Sequence, residues 1–158
     1  MHTLSMFPHT ITLYNVSVEL DKDTFEDKTV NHITVLRGVL VDDSKAHNVR
    51  ESGLVGADAV NLYIPYDVEA VDGVMGEKKE YAPPIEFWKS DDKNGLWTLS
   101  LTSKNTEADS NTFFVRGEIV EPDMALSRLE LLYDDVYEIT KVDNKDFGGL
   151  RHWEVGAN

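Results

Sequence analysis

Short runs of branched and aromatic residues, alternating with polar ones and cut by turn residues, constrain this chain more than any other feature. Residues 9–18 set Ile11 and Leu13, then Val16 and Val18, at two-residue spacing. A period of two belongs to β-strands, whose successive side chains point to opposite faces. The change of phase at Tyr14-Asn15 reads as an irregularity within that strand. Residues 30–41 form a second run, and Gly38 inside it predicts a bend or bulge where the strand changes partner. Between the two, residues 20–28 are acidic and polar, as a solvated hairpin loop is.

The pattern recurs down the chain. Residues 46–50 read as a short third strand, and residues 59–65 alternate cleanly and stop at Pro65. Residues 96–101, 112–120, 135–142 and 151–155 complete the set, and residues 104–111 are a polar loop. Residues 122–133 change period: Pro122 in a first turn, Asp123 beside it and good helix formers after it predict one short helix. The Arg37-Gly38 and Arg116-Gly117 pairs are too short to claim an internal repeat.

Residues 66–94 stand apart. They contain Gly73, Gly76, Pro83 and Pro84 together with charge clusters, and no period persists through them. They read as a long irregular loop, of the kind that often carries function. Phe87-Trp88 is the main apolar feature of this stretch. The plain reading tucks the pair onto the core. The functional reading makes Phe87, Trp88, Asp91 and Asp92 a candidate interface with a neighbouring chain.

These elements predict a mainly β protein, a small β-barrel or sandwich of about seven or eight strands with one short helix. No composition break marks a second domain, so residues 1–158 read as one unit with residues 66–94 inserted in it.

Chemistry is narrowed by what the chain lacks. With no cysteine among 158 residues, disulfides, thiolate zinc sites and cysteine nucleophiles are excluded. No apolar run approaches the roughly 18 residues that span a bilayer. The N-terminal stretch does not read as a secretory leader, so the sequon Asn15-Val16-Ser17 reads as incidental. Twenty-nine acidic residues against 15 basic give a net charge of −14, which disfavours binding to nucleic acid phosphate. Asp146-Phe-Gly spells a kinase magnesium motif, but the glycine-rich loop, strand lysine and His-Arg-Asp loop that must accompany it are missing. Its glycines suit a turn between the strands on either side.

Asp143, Gly148 and Glu154 fall at three positions of a calcium-loop pattern, yet Lys145 and Phe147 occupy positions that need ligand oxygens. Asp21, Asp23 and Asp27 lack the turn glycine such a loop requires. His152 is the one histidine weighed as catalytic; beside it Trp153 reads as core. No nucleophile elbow, zinc helix or phosphate loop is present. The expectation is a protein without cofactor, metal or catalytic residues.

Several stretches in order then carry a resemblance: His9-Thr-Ile-Thr-Leu-Tyr-Asn, Val35-Leu-Arg-Gly-Val, Gly53-Leu, Ala57-Asp-Ala-Val, Tyr63-Ile-Pro, Val115-Arg-Gly-Glu-Ile, Tyr133-Asp-Asp-Val-Tyr-Glu-Ile-Thr, and Asp146-Phe-Gly-Gly with His152-Trp-Glu-Val. Together they resemble a family of small proteins from phages and prophages of Gram-positive bacteria, encoded among genes for capsid and tail assembly. The resemblance covers nearly the whole chain and brings no catalytic residues with it. It implies a virion protein of the neck, a head-completion or stopper-like connector. Such a protein would form a homo-oligomeric ring between portal or adaptor and tail-terminator or tail proteins. It would be made in the host cytoplasm and end in the virion, away from any membrane. Packaged DNA would pass its lumen without sequence-specific binding, and an acidic wall suits that passage. Within the same class a tail terminator, adaptor or capsid decoration protein shares this composition. A small-ligand or carbohydrate-binding β-module, using Trp88, Trp97 and Trp153, is the reading from another class.

Overall fold

A computed structural model of the chain describes residues 6–43, 60–101 and 111–158. The strands are β1 His9–Leu20, β2 Asp27–Asp42, β3 Val60–Pro65, β4 Glu69–Asp72, β5 Glu80–Tyr81, β6 Leu96–Trp97, β7 Asn111–Arg116, β8 Val136–Lys145 and β9 His152–Ala157. Among the described residues two helices join them, α1 Pro84–Lys89 and α2 Leu126–Leu132. The expected strand at residues 46–50 and most of the loop at 104–111 lie outside the described residues.

The antiparallel ladder runs β1-β7-β8-β9-β3-β2-β4, and β1 also pairs β2. The pairings β1-β7-β8-β9-β3-β2 therefore return to β1 and close on themselves. Closure leaves neither sheet edge open within that circuit. β2 and β8 each turn a corner by means of a bulge. In β2, His9 pairs Val39 while Thr10 pairs Arg37, so Gly38 is the extra residue. Before it β2 pairs β1 and β4; after it β2 pairs β3. Gly38 takes φ +93°, which a side chain would strain. The inserted residue also resets the inward phase: Leu36 faces the main core, and then Val39 and Val41 do. In β8 the register slips between Ile139 and Lys141.

The enclosed core contains Ile11, Leu13, Leu36, Leu62, Ile64, Phe114, Ile139 and Val155, together with Trp97, Leu99 and Trp153. A second core lies on the outer face of β1, β2 and β7, where Tyr14, Val16, Ile33, Phe113 and Val115 meet Leu129 of α2. Tyr14 stacks on Phe113 with centroids 4.7 Å apart. Its hydroxyl donates to Ile119 O at 2.6 Å and accepts from Glu121 N at 3.0 Å, pinning the segment that leads to α2.

Two cores explain the phase change in the first strand. β1 pairs β2 without a slip from Thr10 to Leu20, so the expected irregularity at Tyr14-Asn15 is absent. Ile11 and Leu13 serve the inner core, Tyr14 and Val16 the outer one. A strand buried on both faces does not alternate.

The helix expected at residues 122–133 begins later, at Leu126. The Asn31 amide donates to Met124 O at 2.8 Å, taking a carbonyl that a helix begun at Pro122 would use. The long irregular loop expected at residues 66–94 is instead built. β4 continues along β2 beyond β3 after a turn closed by Val68 N to Pro65 O at 3.1 Å. Pro83 is the N-cap residue and Pro84 the first residue of α1, a position where the missing N–H costs nothing. β5 and β6 then pair in parallel. Gly148, with φ +77°, turns the chain between β8 and β9, so the Asp146-Phe-Gly letters form a hairpin connection.

Candidate interaction surface

The β1–β2 hairpin runs past the described part of β7. Among the described residues, β7, which begins at Asn111, accompanies β1 from Ile11 to Val16. Beyond that, Ser17 to Leu20 pair with Val30 to Asp27, and among the described residues no third named strand joins them. A two-stranded ribbon is marginal without support. Here the support is at the root, and α1 supplies it.

At the root, the His32 ring meets the edge of Phe87 at 6.1 Å, and Phe87 meets Trp88 edge-on at 4.7 Å. Trp88 Nε1 donates to Ser100 Oγ at 3.4 Å. Beside them Lys79 is buried, its Nζ 3.1 Å from Ile33 O and 3.5 Å from the Asp72 carboxylate. Burial lowers the Lys79 pKa against the pull of Asp72. Asp72 is itself held below the usual carboxylate range: burial opposes this, but the Met75 and Val74 amides and Lys79 outweigh it. Burial pushes His32 down to about 4, so its imidazole is neutral at pH 7.

Ser17 Oγ lies 3.0 Å from His32 Nε2, and Glu19 Oε1 lies 3.8 Å from the same nitrogen. A serine relay needs the acid on the opposite ring nitrogen, where it orients the base. Both groups share one nitrogen here, so the cluster holds the root of the arm together and does not present an activated hydroxyl.

The residues proposed from sequence as an interface differ in burial. Phe87 is fully buried, 0% exposed, so its ring serves the core and cannot anchor a partner while α1 keeps its place. Trp88 is half-buried; Asp91 and Asp92 are exposed on the following loop. Asp92 Oδ1 accepts from Asn94 N at 3.0 Å, a turn contact. Trp97 and Trp153 are buried in the main core with rings 5.5 Å apart. His152 bridges Leu150 O and Glu154 on β9. Asp143 and Glu154 are cross-strand partners of β8 and β9, flanked by strands and not by the helices of a calcium hand. Asn15 is fully buried, so its sequon offers no acceptor in the folded chain.

The tip of the arm is the feature that sequence reading passed over. Asp21 N donates to Glu26 O at 2.9 Å, and Phe25 N donates to Asp21 O at 2.8 Å. The Asp21 carboxylate accepts from Asp23 N at 2.8 Å, which holds its pKa below the usual range. Phe25 closes this turn at φ +60° with 76% of its surface exposed, and Leu20 beside the turn is exposed as well. An aromatic in an acidic loop was the available signal, hidden because the surrounding charge reads as solvated surface.

The profile of a family of unknown function, DUF6751, matches residues 6–158. The chain belongs to DUF6751. The match spans both strands of the arm, the α1 segment and the closing β9 strand, so the whole described fold lies within the family's extent. No curated protein and no solved structure was found to match this DUF6751 chain.

Proposed function

We propose that this DUF6751 protein is a structural protein of a phage virion neck, a head-completion or stopper-like connector that forms a homo-oligomeric ring between portal or adaptor and tail. The single observation that carries the reading is the β1–β2 arm: a ribbon reaching past the described part of β7, rooted by His32 and Phe87, with apolar side chains at its far end. Such an extension suits a ring component that must reach the different proteins stacked above or below it. The ordered sequence resemblance to proteins of phage head–tail gene modules supports it. So does the charge of −14, since a lumen of such subunits repels the phosphates that must slide past. The barrel interior is filled by side chains, so the DNA path in this reading is the centre of the ring and not of the barrel.

Quantitative mass spectrometry of purified virions tests the reading. A copy number comparable with the portal protein places the chain in the neck. A count comparable with the major capsid protein makes it a decoration protein, and absence from virions ends the virion reading.

One observation favours a small-ligand module as the second reading. A cavity of about 410 Å³ is lined by Tyr66, Val68, Tyr81 and Trp97, with Asp67 and Glu80 among its other residues. Aromatic faces with flanking carboxylates suit a sugar ring. Titration with neutral mono- and disaccharides, followed by tryptophan fluorescence, decides it: no saturable change discards the module.

A further inference from the structure

We infer that the tip of the β1–β2 arm, centred on Phe25, is a docking anchor for an apolar pocket ringed by basic residues on a different protein of the neck; this rests on the connector reading above. Five residues take positive φ among the described ones: Gly38, Gly76, Gly117, Gly148 and Phe25. Four are glycines, for which that conformation is free of side-chain strain. The fifth is a bulky aromatic, for which it is a genuine outlier. The β8–β9 turn shows the ordinary solution, with Gly148 in the left-handed position and Phe147 beside it.

Phe25 gives the isolated chain little in return. The residue is 76% exposed and belongs to neither core. Its backbone is nonetheless fixed, by its own amide to Asp21 O and by the Asp21 carboxylate that organises the turn. A strained backbone that holds an unburied aromatic in one place is the arrangement of a preorganised anchor. Leu20, 60% exposed at the end of β1, adds apolar surface next to it.

Charge selects the occupant. Over residues 17–30, Glu19, Asp21, Asp23, Glu26 and Asp27 outnumber Lys22 and Lys28. That rim repels nucleic acid and anionic lipid, and it repels a second copy of a chain carrying −14. It attracts a pocket whose edge carries lysine and arginine.

The test uses Phe25→Gly, which deletes the ring and supplies the residue that the turn geometry favours. The purified variant should keep or raise its thermal midpoint, so that a defect cannot be laid to misfolding. Phage lacking the gene is complemented with wild type, Phe25→Gly or Phe25→Trp. Copies per head are counted by mass spectrometry, and tailed particles by electron microscopy. The expected result is a loss of at least tenfold in tailed particles with Phe25→Gly, and substantial rescue by Phe25→Trp. Heads that retain the variant protein put the pocket on the tail side; heads that lose it put the pocket on the head side. Wild-type levels of tailed particles with Phe25→Gly overturn the anchor and leave the connector reading standing. A changed oligomeric mass of the purified variant in solution also overturns it, because the tip would then dock a second copy. Wild-type protein missing from heads removes the connector reading and the anchor with it.

Discussion

The side chain of Asn15 and the backbone of Thr98 are bonded in both directions. Asn15 Nδ2 donates to Thr98 O at 3.0 Å, and Asn15 Oδ1 accepts from Thr98 N at 3.3 Å. A third contact runs from Nδ2 to Thr112 Oγ1 at 3.1 Å. All three residues are buried. The amide therefore acts as a length of strand, joining the segment after β6 to the inward face of β1, where among the described residues no backbone ladder reaches it. Replacing Asn15 with Ala strands the N–H and C=O of Thr98 away from water, and each unpaired group costs about 1–3 kcal/mol. Asn15→Ala is expected to lose about 3 kcal/mol of stability. The check is a urea unfolding midpoint that falls while its slope stays constant.

His32 makes acid stability measurable through one ring. Its folded pKa is near 4 because burial disfavours the charged form, and its side chain is only 11% exposed. Unfolded His32 takes up a proton below its ordinary value of about 6.5, whereas the folded ring resists until near 4. Across that window the unfolded state binds more protons, so stability falls as pH drops from 6.5 toward 4 and levels off for this group below it. The loss attributable to His32 is about 3 kcal/mol at most. His32→Gln keeps a polar partner for Ser17 and removes the titration. Its unfolding free energy plotted against pH should be flatter than wild type between 4 and 6.5, and a slope equal to wild type would contradict the burial of a neutral ring.

Thr34 presents the opposite case to Asn15. It is fully buried, and its Oγ1 has no hydrogen-bond partner among the described residues. A hydroxyl left in that state destabilises the fold by about 1–3 kcal/mol. Val has nearly the same shape and no polar atom. Thr34→Val is expected to raise stability by about 1 kcal/mol, read as a higher thermal midpoint.

How far the fold was legible depended on which faces of each element were buried. β3, with one face inward, alternates in sequence as it does in space: Leu62 and Ile64 are fully buried and Asn61 is exposed. β1 is buried on both faces, and its letters suggested a break that the register lacks. The 66–94 segment was illegible for another reason. Its short elements, β4, β5 and α1, bury few residues each and depend on distant partners: β4 on β2, Lys79 on Ile33 O, Phe87 on His32. No local period records such contacts. Phe25 escaped notice because backbone dihedrals at a hairpin tip leave no mark on composition. Gly38, by contrast, announced its own role, since a lone glycine in a strand has few other uses.

Gly38 can be made to test the corner directly. A Cβ built on it meets nothing within 4 Å, so any cost of Gly38→Ala comes from backbone conformation and not from crowding. At φ +93° that cost is about 1–2 kcal/mol. Gly73 gives the contrast. It has no unusual φ, but an added Cβ would sit 2.7 Å from Ile33 Cγ2 and 3.1 Å from Val120 Cγ2, and Ile33 belongs to the core beneath α2. Gly73→Ala therefore acts by pushing that core apart. Pairing each with Ile33→Ala, which removes the Cγ2 that the added methyl would meet, separates the two mechanisms. Trimming Ile33 relieves a steric clash and leaves a dihedral penalty unchanged. In double-mutant cycles by urea unfolding, the loss from Gly73→Ala should be smaller in the Ile33→Ala background than in wild type, whereas Gly38→Ala should cost the same in both. Coupling between Ile33 and Gly38 instead would mean that the bulge is set by packing, and that the corner of β2 owes little to glycine's freedom at that position.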